Sequence, residues 1–443
     1  MEETRKPLKN WKFHIHTFGC QMNENDSERI AGLLQKEGAR MSGSPEESDL
    51  VILNTCAVRE KAEEKLYSLL GRMESIKKAR GLMIGVVGCV AQLYRSQLLE
   101  KRPFIDFILG PDNYDEIPHI LEECSSEKVV ATNWSREWRE YFPHPLSRES
   151  RFSAYVTIME GCNSFCSYCI VPFTRGREKF RPLSNILREV RELADEGYRE
   201  IQLLGQNVNS YRDPESGKGF PDLLREVNRI SGIGWVRFIT SHPKNFTAEI
   251  VEAMRDSEKV CHQLHLPVQS GSNDILMAMN RGYTREEYLE EISLIRSVMP
   301  DISLSTDVIV GFPGETKKHF RETLSLLEEV HFSNIFSFRY SPRPLTAASR
   351  KKDTVPFEEK KRRLIELQNF QKQIQLELNS SYIGRVVRVL CLGKSKKDLQ
   401  RFSGRNEGYQ VVNFVSEKDV IGQFVDVRIT SCGPYSLVGE AVS

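Results

Sequence analysis

Three cysteines fall within a span of eight residues in Gly161-Cys162-Asn163-Ser164-Phe165-Cys166-Ser167-Tyr168-Cys169. Three thiolates on one loop can hold three corners of a metal centre. A structural zinc site takes four protein ligands, often as two Cys-x-x-Cys pairs, and a fully ligated [4Fe-4S] cluster takes four cysteines. Three thiolates therefore leave two options: a cluster with one iron open to substrate or cofactor, or a zinc with a distant fourth ligand. A second set, Cys20, Cys56 and Cys89, is spread at intervals of 36 and 33 residues. Each follows a short strand-like run: Thr17-Phe18-Gly19-Cys20, Leu53-Asn54-Thr55-Cys56 and Val87-Gly88-Cys89. In an open parallel sheet, ligands bind beyond the carboxyl ends of the strands, so these three thiols can converge. Cys124, Cys261, Cys391 and Cys432 show no pattern and read as structural.

The chain of 443 residues is 40% apolar and 28% charged, an ordinary globular composition that excludes a disordered or collagen-like protein. Its 62 basic and 61 acidic residues nearly cancel, so any nucleic-acid affinity must come from a local patch. No apolar run approaches the ~20 residues of a membrane span. Met1 to Lys12 is charged and lacks the apolar core of a signal peptide. A cytoplasmic monomer is expected. Thiols stay reduced there, so clustered cysteines read as metal or catalytic sites before disulfides.

The elements that must position these residues follow a βα rhythm. Strands are expected at Lys12–Thr17, Asp49–Asn54, Met83–Val87 and Phe104–Leu109, with helices at Asp26–Glu37, Val58–Ala79 and Ala91–Glu100. This predicts a parallel α/β domain over residues 11–127. Residues ~130–152, with Trp134 and Trp138 as packing residues and the run Pro143-His144-Pro145, read as a linker. Six further βα repeats follow in residues 148–379, with strands at Ala154–Met159, Ile201–Leu204, Trp235–Thr240, Gln263–Leu266, Ser303–Val310 and Ile335–Arg339. Six are too few for a closed eight-stranded barrel and predict a partial (β/α)6 barrel with its chemistry on the loops at the strand carboxyl ends. Phe357–Leu378 reads as an amphipathic helix at the seam to the last domain. Residues 381–443 carry short β runs (Val386–Leu390, Gln410–Phe414, Phe424–Ile429, Ser436–Val442) and predict a small OB-like barrel.

That last domain also gathers charge. Arg385, Arg388, Lys394, Lys396, Lys397, Arg401 and Arg405 stand against Asp398 alone between residues 381 and 405. OB-type barrels bind nucleic acid through basic grooves and aromatic platforms, and Phe402, Tyr409 and Phe414 are the stacking candidates.

Cys-x3-Cys-x2-Cys after a first barrel strand resembles the signature of the radical S-adenosylmethionine (SAM) enzymes. The flanking segments resemble the methylthiotransferases of that superfamily: Thr17-Phe18-Gly19-Cys20-Gln21-Met22-Asn23, Asn54-Thr55-Cys56-Ala57-Val58-Arg59, Cys169-Ile170-Val171-Pro172-Phe173-Thr174-Arg175-Gly176-Arg177-Glu178 and His265-Leu266-Pro267-Val268-Gln269-Ser270-Gly271-Ser272. Ser403-Gly404-Arg405-Asn406 through Val411-Val412-Asn413-Phe414 resembles the TRAM domain, an RNA-binding module. The resemblance covers nearly the whole chain and implies two [4Fe-4S] clusters, one on Cys162, Cys166 and Cys169 and one on Cys20, Cys56 and Cys89. It implies SAM on the open iron of the first and a sulfur-handling role for the second.

Further SAM contacts are expected from segments after barrel strands, where glycine lets the backbone approach a ligand. These are Gly205, Gln206 and Asn207, then Gln269 and Ser270, then Gly311, Gly314 and Glu315. His242 and His265 also lie near strand ends, but a lone histidine reads as structural. The family's substrates are N6-(dimethylallyl)adenosine at position 37 of tRNA, threonylcarbamoyl-adenosine of tRNA, or an aspartate of a ribosomal protein. Pro172-Phe173-Thr174-Arg175-Gly176-Arg177 resembles the first branch. The implied partners are the tRNA anticodon loop and a low-potential electron donor such as a flavodoxin or ferredoxin. A cobalamin-dependent radical methylase shares the domain order, but its Asp-x-His-x-x-Gly motif is not in the sequence.

Overall fold

The computed structural model describes residues 8–58, 60–123, 127–139, 148 and 150–442. Cys124, Arg59 and part of the expected linker, including Pro143-His144-Pro145, lie outside them.

The N-terminal sheet has six parallel strands: β1 (Lys12–Phe18), β2 (Arg40–Met41), β3 (Leu50–Thr55), β4 (Met83–Gly88), β5 (Phe107–Leu109) and β6 (Val129–Ala131), in the order β2-β1-β3-β4-β5-β6. Helices α1 (Gln21–Lys36), α2 (Glu60–Arg80), α3 (Cys89–Tyr94), α4 (Ser96–Lys101) and α5 (Ile117–Glu123) connect them. Strand β3 shows why the sheet is buried on both faces. Leu50 and Ile52 pack with Ile30, Leu34 and Ile117, whereas Val51 and Leu53 pack with Leu66, Leu70 and Ile108. Successive side chains point to opposite faces, so a central parallel strand is apolar throughout. Strand β6 falls where the sequence reads as linker; it pairs with β5 from Phe107 to Leu109.

The central arc contains β7 (Ser153–Thr157), β10 (Glu200–Leu204), β11 (Trp235–Phe238), β12 (Gln263–His265), β13 (Ser303–Val310) and β14 (Asn334–Arg339), all parallel, in two three-stranded ladders. A single bridge from Val236 to Val260 carries the arc between β11 and the segment leading to β12. One apolar core joins the strands to helices α7 (Leu183–Asp195), α8 (Phe220–Asn228), α9 (Ala248–Asp256), α11 (Arg285–Val298), α12 (Lys317–Val330) and α13 (Phe357–Ser380). Three short elements were not expected. Strands β8 (Met159–Glu160) and β9 (Lys179–Phe180) pair antiparallel and bracket the three-cysteine loop, and helix α6 (Val171–Thr174) follows Cys169.

On the arc's inner face, His265, Ser305, Asp307, Phe336 and Phe338 are presented by β12, β13 and β14, opposite the face that carries Leu304, Val308 and Val310 to the helices. Phe336 and Phe338 stay 45% and 37% exposed, because β14 is the edge of an arc that does not close.

The C-terminal unit is a closed five-stranded barrel of β15 (Val386–Lys394), β16 (Phe402–Asn406), β17 (Val411–Val415), β18 (Phe424–Cys432) and β19 (Leu437–Ala441), in the order β15-β16-β17-β19-β18. Its core includes Val389, Phe402, Val412, Phe414, Val427 and Leu437. It docks on the amino-terminal ends of the arc's strands. There Arg237 Nε donates to Glu200 at 2.6 Å, Nη1 to the Glu407 carbonyl at 2.5 Å and Nη2 to the Asn406 carbonyl at 2.8 Å.

Candidate cluster and nucleic-acid sites

The three spread cysteines meet at the carboxyl ends of β1, β3 and β4. Cys20 caps α1 and Cys89 opens α3. An asparagine clip draws the first two ends together: Asn23 Nδ2 donates to Asn54 Oδ1 at 3.1 Å, and Asn54 Nδ2 donates to the Asn23 carbonyl at 2.8 Å. Gly19 permits the approach, since a Cβ there would stand 2.9 Å from Cys56 Cβ. Gly88, at φ +92°, turns the chain into α3 beside Asn54, and L side chains rarely adopt that backbone conformation. The thiols affect one another. A hydrogen bond with Cys56 holds the Cys20 thiol low and pushes Cys56 up, and burial raises Cys89. Arg175, from the central arc, opposes the burial effect at Cys89.

The second set lies on the loop bracketed by β8 and β9. Cys162 N–H donates to the Gly176 carbonyl at 3.1 Å, and Cys169 N–H to that of Cys166 at 3.0 Å. Ser167 N–H donates to the Met279 carbonyl at 2.8 Å, tying the loop to the end of α10 (Asn273–Ala278). Burial pushes the Cys169 thiol up to about 12 and also raises Cys162. Arg281 is the cation here: Nη1 donates to Cys166 Sγ at 3.3 Å and Nη2 to the Pro267 carbonyl at 2.6 Å. His242 Nε2 lies 4.0 Å from Cys166 Sγ, and burial with Arg281 and Lys244 nearby lowers its pKa to about 3, so the ring is neutral. His265 bonds Ser305 Oγ through Nδ1 at 3.0 Å on the inner face of the arc.

Among the described residues, no three His, Cys, Asp or Glu groups crowd closely enough to hold one metal ion. A four-iron cluster is a larger body, and its thiolates bind separate irons. Two sets of three thiols, each with a buried arginine against one sulfur, suit such anionic groups in donor type and in surrounding charge.

The expected SAM-contact residues lie after β10, β12 and β13. Gln206 Oε1 accepts from Gly161 N–H at 2.5 Å, so this segment clasps the base of the cysteine loop. A Cβ at Gly205 would meet Met159 Sδ at 2.6 Å. Asn207 Nδ2 donates to Glu178 at 3.2 Å, while its Oδ1 is buried without a partner. Gln269 is held at φ +74° between the Asp307 carbonyl and the Ile309 N–H. Ser270 Oγ stands 3.4 Å from Thr323 Oγ1. Gly311 N–H and Arg363 Nη1 donate to Glu315 Oε1 at 2.9 and 2.6 Å, and Gly314 N–H donates to Thr354 Oγ1 at 2.9 Å. The Glu315 carboxylate is thus committed to the turn and to α13.

The basic residues divide. Arg385, Arg388, Lys394, Lys396 and Lys397 are exposed, and Arg401 pairs with Asp398 at 3.2 Å. Arg388 stacks over Phe424 at 4.3 Å. Arg405 stacks over Tyr409 at 4.0 Å, and Arg237 lies 5.0 Å from the same ring, on the docking side of the barrel. The expectation of three stacking aromatics is corrected. Phe402 and Phe414 point into the barrel, 3% and 0% exposed, because alternate residues of β16 and β17 fill its core. Tyr409 serves the docking contact instead.

A thiol-bearing loop after the first strand of an open βα arc, an α/β domain in front and a five-stranded barrel behind define the architecture of a radical SAM protein with an RNA-binding appendage. Family profiles agree: residues 12–110 match the uncharacterized protein family UPF0004, 156–327 the radical SAM superfamily and 380–442 the TRAM domain. Proteins named tRNA-2-methylthio-N(6)-dimethylallyladenosine synthase are 45% identical in Clostridium botulinum (97% of each chain), 47% in Thermotoga petrophila (97% of each) and 46% in Carboxydothermus hydrogenoformans (97% of this chain, 99% of the relative). The chain belongs to that family of radical SAM proteins. The fold is also similar to that of the cobalamin-dependent radical SAM enzyme OxsB (TM-score 0.56, 14% identity, covering 83% of this chain and 56% of that one). It is likewise similar to the methyltransferase TsrM from Kitasatospora setae (TM-score 0.57, 13% identity, 76% and 75%).

Proposed function

We propose that the chain is a tRNA methylthiotransferase, converting N6-(dimethylallyl)adenosine at position 37 of the anticodon loop to its 2-methylthio derivative. The observation that carries this reading is the pairing of two three-thiol sets, one in each of two contacting α/β units, within a chain of this family. Cys162, Cys166 and Cys169 would hold one [4Fe-4S] cluster, and Cys20, Cys56 and Cys89 the other. When bound, the clusters and SAM supply what side chains cannot: one-electron cleavage of SAM to a radical able to take hydrogen from adenine C2, and a sulfur to replace it.

The chain's own residues position and shield. Arg281 and Arg175 offset thiolate charge at the two sites. Gly205, Gln206, Asn207, Gln269, Ser270, Gly311 and Gly314 form the strand-end rim against which SAM is held, with Glu315 fixing the turn beneath it. The open edge beside Phe336 and Phe338 admits a base splayed out of the loop. The exposed lysines and Arg385 on the final barrel grip phosphate. The one-electron step calls for a low-potential donor such as a flavodoxin or ferredoxin. The protein acts as a cytoplasmic monomer; no helix among the described residues is long and apolar enough to cross a membrane. Mass spectrometry of tRNA nucleosides from cells with and without the gene tests the reading. The 2-methylthio nucleoside should vanish and its dimethylallyl precursor accumulate. An unchanged profile, or loss only of a threonylcarbamoyl derivative, would overturn it.

A further inference from the structure

Residues 170–175 run directly from the last cysteine of the loop into the other domain. Ile170, 1% exposed, belongs to the N-terminal core with Leu66 and Val90. Arg175 is 3% exposed. Its Nη2 donates to Asp26 Oδ2 at 2.5 Å, and Tyr114 OH donates to the same oxygen at 3.3 Å. Its Nη1 is buried with no hydrogen-bond partner, 4.0 Å from Glu160 Oε1. Helix α6, which ends one residue before Arg175, packs on α3, the helix opened by Cys89, and Asp26 stands in the second turn of α1, the helix capped by Cys20. A buried guanidinium with an unused donor, close to the helix starts that carry Cys20 and Cys89, is suited to an anion in that space. Glu160, two residues before Cys162, also faces Lys179, which pairs with Asp112 of the N-terminal domain. A buried line of charges therefore joins the two thiol sites.

We propose that Arg175, supplied by the radical SAM core, is the positioning cation of the N-terminal cluster, and that its charge, opposed by Asp26, sets that cluster's reduction potential. This rests on the reading that Cys20, Cys56 and Cys89 hold a cluster. A cation beside the cluster favours the reduced, more negative state; an anion does the reverse. The ion pair therefore predicts opposite shifts from its two members, which a merely structural contact would not give.

The test uses the full chain with Cys162, Cys166 and Cys169 replaced by Ala, so that only the N-terminal cluster is loaded. Iron content comes first: a protein without iron defeats the two-cluster reading itself. With iron bound, redox titration followed by electron paramagnetic resonance should give a lower potential for Arg175→Gln, by a tenfold change in the reduction equilibrium, about 59 mV for one electron. Asp26→Asn should raise it, and Arg175→Lys should stay near the parent. Loss of the cluster in Arg175→Gln but not in Arg175→Lys also supports the charge role. Unshifted potentials, shifts of the same sign in Arg175→Gln and Asp26→Asn, or cluster loss in both Arg175 variants would overturn the inference.

Discussion

Arg237→Met should release the C-terminal barrel from the arc while both remain folded. Arg237 is buried, and its guanidinium binds Glu200 and two carbonyls of the β16–β17 turn, between the rings of Trp235 at 4.8 Å and Tyr409 at 5.0 Å. Removing one partner of a buried ion pair leaves an uncompensated charge and costs about 3–5 kcal/mol. At roughly 1.4 kcal/mol per tenfold, the docking equilibrium should shift by about two to three and a half orders of magnitude. Undocking lets water reach Glu200 and the Asn406 and Glu407 carbonyls, so the loss should appear as domain separation. The barrel keeps its own core, and Asn379 Nδ2 still reaches the Gly433 carbonyl at 2.8 Å from the end of α13. Limited proteolysis at Tyr382–Arg385 and small-angle scattering should show faster cleavage and a larger radius of gyration. Glu200→Gln combined with Arg237→Met should recover part of the docking, with a coupling of about 0.5–3 kcal/mol. Parental cleavage and scattering in Arg237→Met would refute this account of the seam.

Three further outcomes are expected. Replacing Lys394, Lys396 and Lys397 with Ala should flatten the log K against log salt slope for tRNA binding by about 2 to 3, at roughly 0.7–0.9 per phosphate contact; fluorescence anisotropy across a salt series checks it, and an unchanged slope would place the RNA contacts elsewhere. Replacing Cys162, Cys166 and Cys169 with Ala should halve the iron of anaerobically reconstituted protein and abolish SAM cleavage, whereas full iron would contradict the loop assignment. Burial raises the Glu291 carboxyl to about 9, with Oε1 lacking a partner. Its folded pKa lies above its unfolded value, so stability is greatest below about pH 4 and falls as pH rises toward 9. Glu291→Gln should therefore raise the melting temperature at pH 8, by about 2–4 °C for each ~1 kcal/mol gained, and leave it unchanged at pH 4. A pH-independent effect would count against this.

The βα rhythm was legible because buried parallel strands such as β3 are apolar at every position, with helices between them. Strands β2, β6, β8 and β9 have two or three residues each, too few to show a period. Strand β16, Phe402-Ser403-Gly404-Arg405-Asn406, hides for another reason. Its inward positions are Phe402, Gly404 and Asn406, and a Cβ at position 404 would meet the Leu390 carbonyl oxygen at 2.2 Å. The six cysteines stood out by spacing and strand-end placement. Arg175, Arg281 and Asp26 did not, since a charged residue in a polar segment ordinarily reads as solvated. The available signal was position: Arg175 lies six residues after Cys169, in a segment already singled out, and Asn23 and Asn54 flank cysteines in the same way. Phe402 and Phe414 face inward because strand phase decides the side each ring takes: the run Gln410–Phe414 shows a strand without showing which face is buried, and the segment around Phe402 does not show as a strand at all.

The central claim is that the two thiol sites divide one reaction. The most direct test is anaerobic turnover of protein in which Cys20, Cys56 and Cys89 are Ala, with SAM, reductant and tRNA bearing N6-(dimethylallyl)adenosine, followed by mass spectrometry of small molecules and nucleosides. The account predicts that 5′-deoxyadenosine still forms while no 2-methylthio nucleoside appears. Formation of the 2-methylthio nucleoside at the parental rate would contradict it.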